Sequence, residues 1–273
     1  MQVGFLLALL GSGHGGVAVQ AAELDQIRDR GYLIVGVKDN LRPLGFQDSQ
    51  NQLQGFEIDI ARQLAAELIG DQAEVVLKPV LNQDRLDVLL NGEVDLLVAR
   101  MSITDARSRL VDFSRPYYID GTAFVSRDVA IQSLRDLQQQ TVAVLFGSDT
   151  IPAVRFLLPS VRLQGVESYQ AAKELLESGQ VAAFAADATV LTGWVQEHPD
   201  YHLISPLISA EALAVAMPKG RQYDELRREV NQAVERWLKT GWLRQRIAEW
   251  GLPIDGFPSF TDRIEPSIEP SNE

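Results

Sequence analysis

The 273-residue chain carries 37 acidic against 25 basic side chains, a formal net charge of −12 at pH 7, and no cysteine. That balance excludes the basic footprint needed for nucleic acid or an anionic membrane surface. The absence of thiols excludes disulfides, thiolate metal sites, cysteine nucleophiles and a lipid-modified N-terminal cysteine.

Residues 1–22, MQVGFLLALLGSGHGGVAVQAA, hold no charged side chain, run apolar over residues 3–10 and end in small residues. This pattern predicts a cleaved secretory leader with a candidate cleavage site at residues 19–21, although no Lys or Arg precedes the apolar run. The run is far shorter than the roughly 20 residues that span a bilayer. GSGHGG inside it has no Lys and opens no helix, so it is not a phosphate loop.

Short apolar runs then alternate with helical patterns. Strands are expected over residues 32–37 (YLIVGV), 74–80, 94–99 (VDLLVA), 141–146 (TVAVLF) and 181–186 (VAAFAA). Helices are expected over 56–69, 83–90, 169–177, 223–237 and 243–250; in the first, Ile60, Leu64, Ala65 and Leu68 share one face. Near-continuous apolar strands separated by helices imply sheets covered on both faces, an α/β architecture. Extended segments over residues 122–127 (TAFVSR) and 211–219 (EALAVAMPK) flank a block with its own strands and helices. If both cross between lobes, residues 23–118 plus 216–251 form the first lobe and residues 124–210 the second. Two crossings make a hinge with a cleft beside it. After Gly251 the composition turns to Pro, Ser and acid, which predicts a disordered tail over residues 252–273.

Catalytic signatures are sparse. His14 lies in the leader, and Pro199 separates His198 from His202, which reads as a loop without metal chemistry. No G-x-S-x-G elbow and no H-E-x-x-H motif occurs. Glu57 and Asp59 stand in the first turn of a helix, where acids complement the dipole.

Binding chemistry is better represented. ARMSITDARSRLVDFSRPYY (residues 99–118) packs Arg100, Arg107, Arg109 and Arg115 into one run after an apolar strand. Arg107 follows the strand's C-terminal end, where open α/β sheets bind ligands, and its fork suits a carboxylate with the Ser102 hydroxyl alongside. It reads equally as a surface arginine paired with Asp105 or Asp112. The turn after Gly147 carries Ser148 at a helix opening, a seat for a carboxylate or a plain cap. Asp187 ends an apolar strand, placed to meet an ammonium group or to cap the next helix. Together these groups complement an α-amino acid zwitterion.

GFEIDIARQLA (residues 55–65), NGEVDLLVARMSITDARSRLVDFSRPYY (91–118), TVAVLFGSDT (141–150) and LLESGQVAAFAAD (175–187) resemble the polar amino-acid family of bacterial extracellular solute-binding proteins of ABC importers. The likeness runs in order from about residue 24 to 251. It implies a two-lobed periplasmic-binding-protein-like fold (type II) closing on an amino acid. By the same resemblance Arg107 holds the α-carboxylate with Ser102 and Ser148 beside it. Asp187 takes the α-ammonium, and the Ala99 carbonyl accepts from the same group. Relatives that bind glutamine or basic amino acids sandwich the side chain between aromatics, where this chain has Leu41 and Asn82. Lys38, Arg85 and Arg100 fall at positions that face the pocket, and Tyr169 matches a second-lobe contact. This set looks like the acidic-amino-acid branch, with glutamate or aspartate as ligand and broad polar specificity as the alternative.

The resemblance further implies a periplasmic monomer without cofactor, an ABC permease as partner and no nucleic acid. Cyclohexadienyl dehydratases share the scaffold and use a pocket carboxylic acid. The ATVL that follows Asp187 offers no nearby Glu, which favours binding over catalysis.

Overall fold

The computed structural model describes residues 21–70 and 72–258. Two five-stranded sheets organise them. In the first, strand Tyr32–Val37 lies between Glu74–Pro79 and Leu96–Val98, all parallel; Ala216–Met217 pairs antiparallel with Leu96–Val98, and Asp112–Phe113 pairs antiparallel with Ala216–Met217 at the edge. In the second, Thr141–Leu145 lies between Arg162–Val166 and Ala183–Asp187, again parallel. Thr122–Ser126 and His202–Ile204 complete it in antiparallel register.

Strict alternation explains why each sheet is covered on both faces. Leu33, Val35 and Val37 enter the core beneath helix Phe56–Leu68, whereas Ile34 packs with Leu89, Val94 and Leu97 on the opposite side. In the second lobe Val142 and Val144 point one way and Ala143 and Leu145 the other. Helix Phe56–Leu68 starts after Gly55, whose φ of 139° and close approach to the Leu44 carbonyl leave no room for a Cβ. Helix Tyr169–Glu177 starts at the expected residue because the Ser168 hydroxyl accepts from Ala171 N at 3.1 Å. Helix Asp224–Thr240 outruns the expected end at 237 and stops at Gly241, which adopts the left-handed conformation.

The lobes join through a two-stranded ribbon in which Tyr118–Asp120 pairs with Glu211–Leu213. This corrects the expected crossing over residues 122–127, while the returning strand lies within the expected residues 211–219. All five residues of Thr122–Ser126 are buried inside the second sheet, with Ala123 and Val125 in one core and Phe124 in the other. An apolar extended run reads alike as a crossing or as a central strand, and burial on both faces makes it a strand. Gly121 marks the true crossing, because a Cβ there would strike the Ser209 carbonyl of the returning chain.

The lobes also touch across the cleft: Gln196 Nε2 donates to Trp250 O at 2.8 Å, and the Arg42 guanidinium lies 3.7 Å from Glu197. Residues 252–258 correct the expected start of the tail. Leu252 is buried, Pro253 O accepts from Tyr118 Oη at 3.1 Å, and Arg244 lies over the Phe257 ring. The apolar members of a Pro-rich segment suffice to dock it on the first lobe. Residues 259–273, and all of the expected leader except Ala21 and Ala22, lie outside the described residues. Among the described residues no helix is long and apolar enough to cross a membrane.

Candidate ligand site between the lobes

Both sheets aim the C-terminal ends of parallel strands at one interlobe cavity of about 330 Å³. From the first lobe come Arg85, Arg100, Ser102 and Arg107; from the second come residues 145–149 and Asp187; the ribbon adds Glu211. The structure therefore gathers six of the nine expected site residues around one space.

The first lobe supplies a cationic wall. Thr104 caps the short helix Asp105–Ser108, its hydroxyl accepting from Arg107 N. The Arg107 side chain folds back so that Nη1 donates to Ser102 Oγ at 2.6 Å and to Ser102 O at 2.9 Å. Among the described residues Arg107 meets no carboxylate; Asp112, a candidate partner in the sequence, pairs with Arg227 instead. Arg85, only 9% exposed, stands at the start of helix Arg85–Leu90 and donates from Nη1 to the carbonyls of Ala99 at 2.5 Å and Arg100 at 2.9 Å. It too has no carboxylate within ion-pair distance among the described residues. Burial, and then the charges of Arg107 and Arg100, push its guanidinium down to about 10 against the opposing pull of Glu57. It stays protonated at neutral pH.

Arg100 behaves differently. Its φ of 50° is unusual for a long side chain, and Glu57 stabilises it by accepting from Arg100 N at 2.7 Å. Glu57 is fully buried and also accepts from Tyr117 Oη at 2.6 Å. It therefore does more than complement the helix dipole: it pins the loop that forms the cleft floor. From that floor Arg100 reaches the far side. Nη2 lies 2.6 Å from Asp187 and 3.2 Å from Asp120, and Nε contacts Asp120 and Thr189. Burial opposes its charge, but the carboxylates of Asp120, Asp187 and Glu211 outweigh burial and raise it. Nη1 makes no hydrogen bond among the described residues.

The opposite wall is acidic. Asp187 precedes helix Ala188–Glu197 but makes no capping hydrogen bond there; Asp120 takes that place, accepting from Thr189 N at 3.1 Å and Thr189 Oγ1 at 2.6 Å. Asp187 is thus released towards the cavity, where burial and the nearby Asp120 raise its carboxyl while Arg100 opposes them. Burial and Asp187 likewise raise Glu211, again with Arg100 opposing. Ser148 lines the cavity while its hydroxyl accepts from Thr150 N at 3.1 Å, so cap and cavity wall coincide.

Three expected residues stand elsewhere. Lys38 is buried, and its Nζ donates to Val80 O at 2.8 Å beside a separate surface hollow. Val80 continues the neighbouring strand, and its carbonyl captures the ammonium before it can enter the cleft. Tyr169 packs edge-on against Phe184 and Trp194 and lines a second interlobe hollow with Leu41 and Arg42. The Ala99 carbonyl, expected to accept from an ammonium, is held by Arg85 instead. Sequence reasoning missed Glu211 and Asp120. Their only linear signal is an acid at the edge of an apolar extended run. Among the described residues no group of three or more His, Asp or Glu side chains is placed to hold a metal ion.

Residues 33–253 match the model of the bacterial extracellular solute-binding proteins, family 3. Over 199 residues the chain is 35% identical to a glutamine-binding protein of Geobacillus stearothermophilus, covering 72% of this chain and 76% of that one. It is 30% identical to the glutamate-binding protein GluB of Corynebacterium efficiens, covering 71% and 67% respectively. Among solved structures, an ancestral cationic amino acid solute binding protein superposes with a TM-score of 0.70 at 29% identity, covering 83% of this chain and 98% of that one.

Proposed function

The chain belongs to the bacterial extracellular solute-binding proteins, family 3, and from that premise we propose that it is an extracytoplasmic receptor delivering glutamate or aspartate to an ABC importer. Two guanidinium groups without carboxylate partners, Arg85 and Arg107, carry this reading. A buried cation such as Arg85 without a counter-ion is costly, and a ligand with two carboxylates offers one to each guanidinium. In this reading the α-carboxylate sits on Arg107 beside Ser102 and Ser148. The side-chain carboxylate meets Arg85 and the unoccupied Nη1 edge of Arg100. Asp187 receives the α-ammonium on the acidic wall.

The relatives named for glutamine and for glutamate support an amino-acid ligand but divide on the side chain. Lys38 no longer contributes to the acidic preference, which rests on Arg85 and Arg100, both lining the cavity. Closure of the lobes over the ligand completes the site and gives the permease a distinct shape to recognise.

Glu211 favours one second reading. It is a carboxyl raised by burial inside the cavity, the feature a dehydratase would need and one the residues after Asp187 do not supply. Calorimetric titration of the mature protein with the standard amino acids, alongside a turnover assay with prephenate, separates the two. Glutamate or aspartate as the tightest ligand, without turnover, supports the receptor. Dehydration of prephenate overturns it.

A further inference from the structure

Glu211 heads the ribbon strand Glu211–Leu213, which is flanked on one side by Tyr118–Asp120 and on the other by the loop after Met101. Ser102 bridges to Leu213 and Ile103 N donates to Ala212 O, so Glu211 stands at the boundary between the cationic and acidic walls. In register it lies opposite Asp120, a like-charge cross-strand pair that is unfavourable unless positive charge comes between.

The other carboxylates at this end are already provided for. Asp120 is fully buried and accepts from Gly121 N, Thr189 N and Thr189 Oγ1. Asp187 holds Arg100 at 2.6 Å. Asp149 is exposed to water. Glu211, by contrast, is half-buried, lines the cavity, and has no hydrogen-bond or ion-pair partner among the described residues. One guanidinium thus pairs with two carboxylates, and the third faces the cavity with no cation in contact among the described residues.

We infer that Glu211 is a ligand-recognition residue whose carboxylate receives the α-ammonium together with Asp187. Arg100 acts as the internal counter-ion held by Asp187 and Asp120, and the ligand's ammonium offsets part of the negative charge that remains. This rests on the receptor reading and assigns within it a contact made by the hinge ribbon itself. A ligand that bridges Arg107 and Glu211 touches the first lobe and the crossing, so its ammonium reports directly on the segment about which the lobes turn. Ligands without an α-ammonium leave Glu211 facing Asp120 and Asp187 unrelieved, and the site rejects them.

The experiment compares L-glutamate with glutarate, its des-amino counterpart, and L-glutamine with glutaramate, by calorimetry on the wild type and on Glu211→Gln. Thermal melts of both proteins confirm that the variant folds. The wild type should prefer the amino acid over its des-amino partner by more than a hundredfold. In Glu211→Gln the amino acid should weaken at least tenfold while the des-amino acid holds or binds more tightly, so that the ratio collapses. Equal losses for both members of a pair, or no loss for the amino acid, overturn the assignment while leaving the receptor reading intact. A wild type that binds no member of either pair overturns both.

Discussion

Both lobes present the C-terminal ends of three parallel strands to the cleft, yet they bring opposite charge to it. The first lobe contributes Arg85 and Arg107, whose hydrogen bonds go to carbonyls and a hydroxyl and leave their charge unanswered. The second lobe and the ribbon contribute Asp187, Asp120 and Glu211, answered in part by Arg100, which the first lobe extends across. The difference is one of neutralisation rather than of residue type. Each lobe alone carries uncompensated charge, and a zwitterion with a second carboxylate compensates both. In the proposed reading ligand binding favours the arrangement that holds the lobes together, because one small molecule then touches both walls.

The comparison breaks first at Arg107. Replacing it with Ala should cost on the order of 3 kcal/mol of ligand binding, more than a hundredfold in Kd by calorimetry, with the melting temperature little changed. Asp187→Asn should cost about 2 kcal/mol on the same measurement, since Glu211 retains part of the attraction for the ammonium. Loss of equal size from both walls with Glu211 intact would remove that sharing. Arg85→Met sharpens the reading of the side chain: glutamate should weaken about tenfold more than glutamine. An equal effect on both would assign Arg85 to the loop it braces and to nothing else.

A smaller effect concerns stability. Burial raises the Glu57 carboxyl above its ordinary 4.5, against the hydrogen bonds from Tyr117 and Arg100. The unfolded chain releases this proton at lower pH than the native one, so the group's contribution to stability declines as pH rises from about 4.5 through the raised native value. Glu57→Gln keeps an acceptor for both donors and should flatten that decline in urea melts between pH 4.5 and 7. A slope unchanged by the substitution would show that Glu57 titrates as it does in the unfolded chain.

Much of the scaffold was legible because its signals are local. Strand Tyr32–Val37 and helix Tyr169–Glu177 fall on their expected residues, the first from an unbroken apolar run and the second from a serine cap. The outgoing crossing was not legible, since Thr122–Ser126 is as apolar as any strand and only its burial on both faces distinguishes it. Arg107, Ser102 and Asp187 could be placed at the cavity because they follow strand ends in the chain. The direction of Lys38 could not be read, because it depends on the Val80 carbonyl more than forty residues away. Glu211 and Asp120 escaped for the same reason: Asp120 matters because it pairs with Arg100 and Glu211 because it lines the same cavity, relations that exist only once the chain is folded.

A crystal structure of the protein loaded with L-glutamate tests the bipolar cleft most directly. The arrangement predicts the α-carboxylate on Arg107 and Ser102, the second carboxylate within hydrogen-bond distance of Arg85 or Arg100 Nη1, and the ammonium between Asp187 and Glu211. A ligand with its ammonium at the Arg107 end, or one seated in the hollow beside Tyr169, would contradict it.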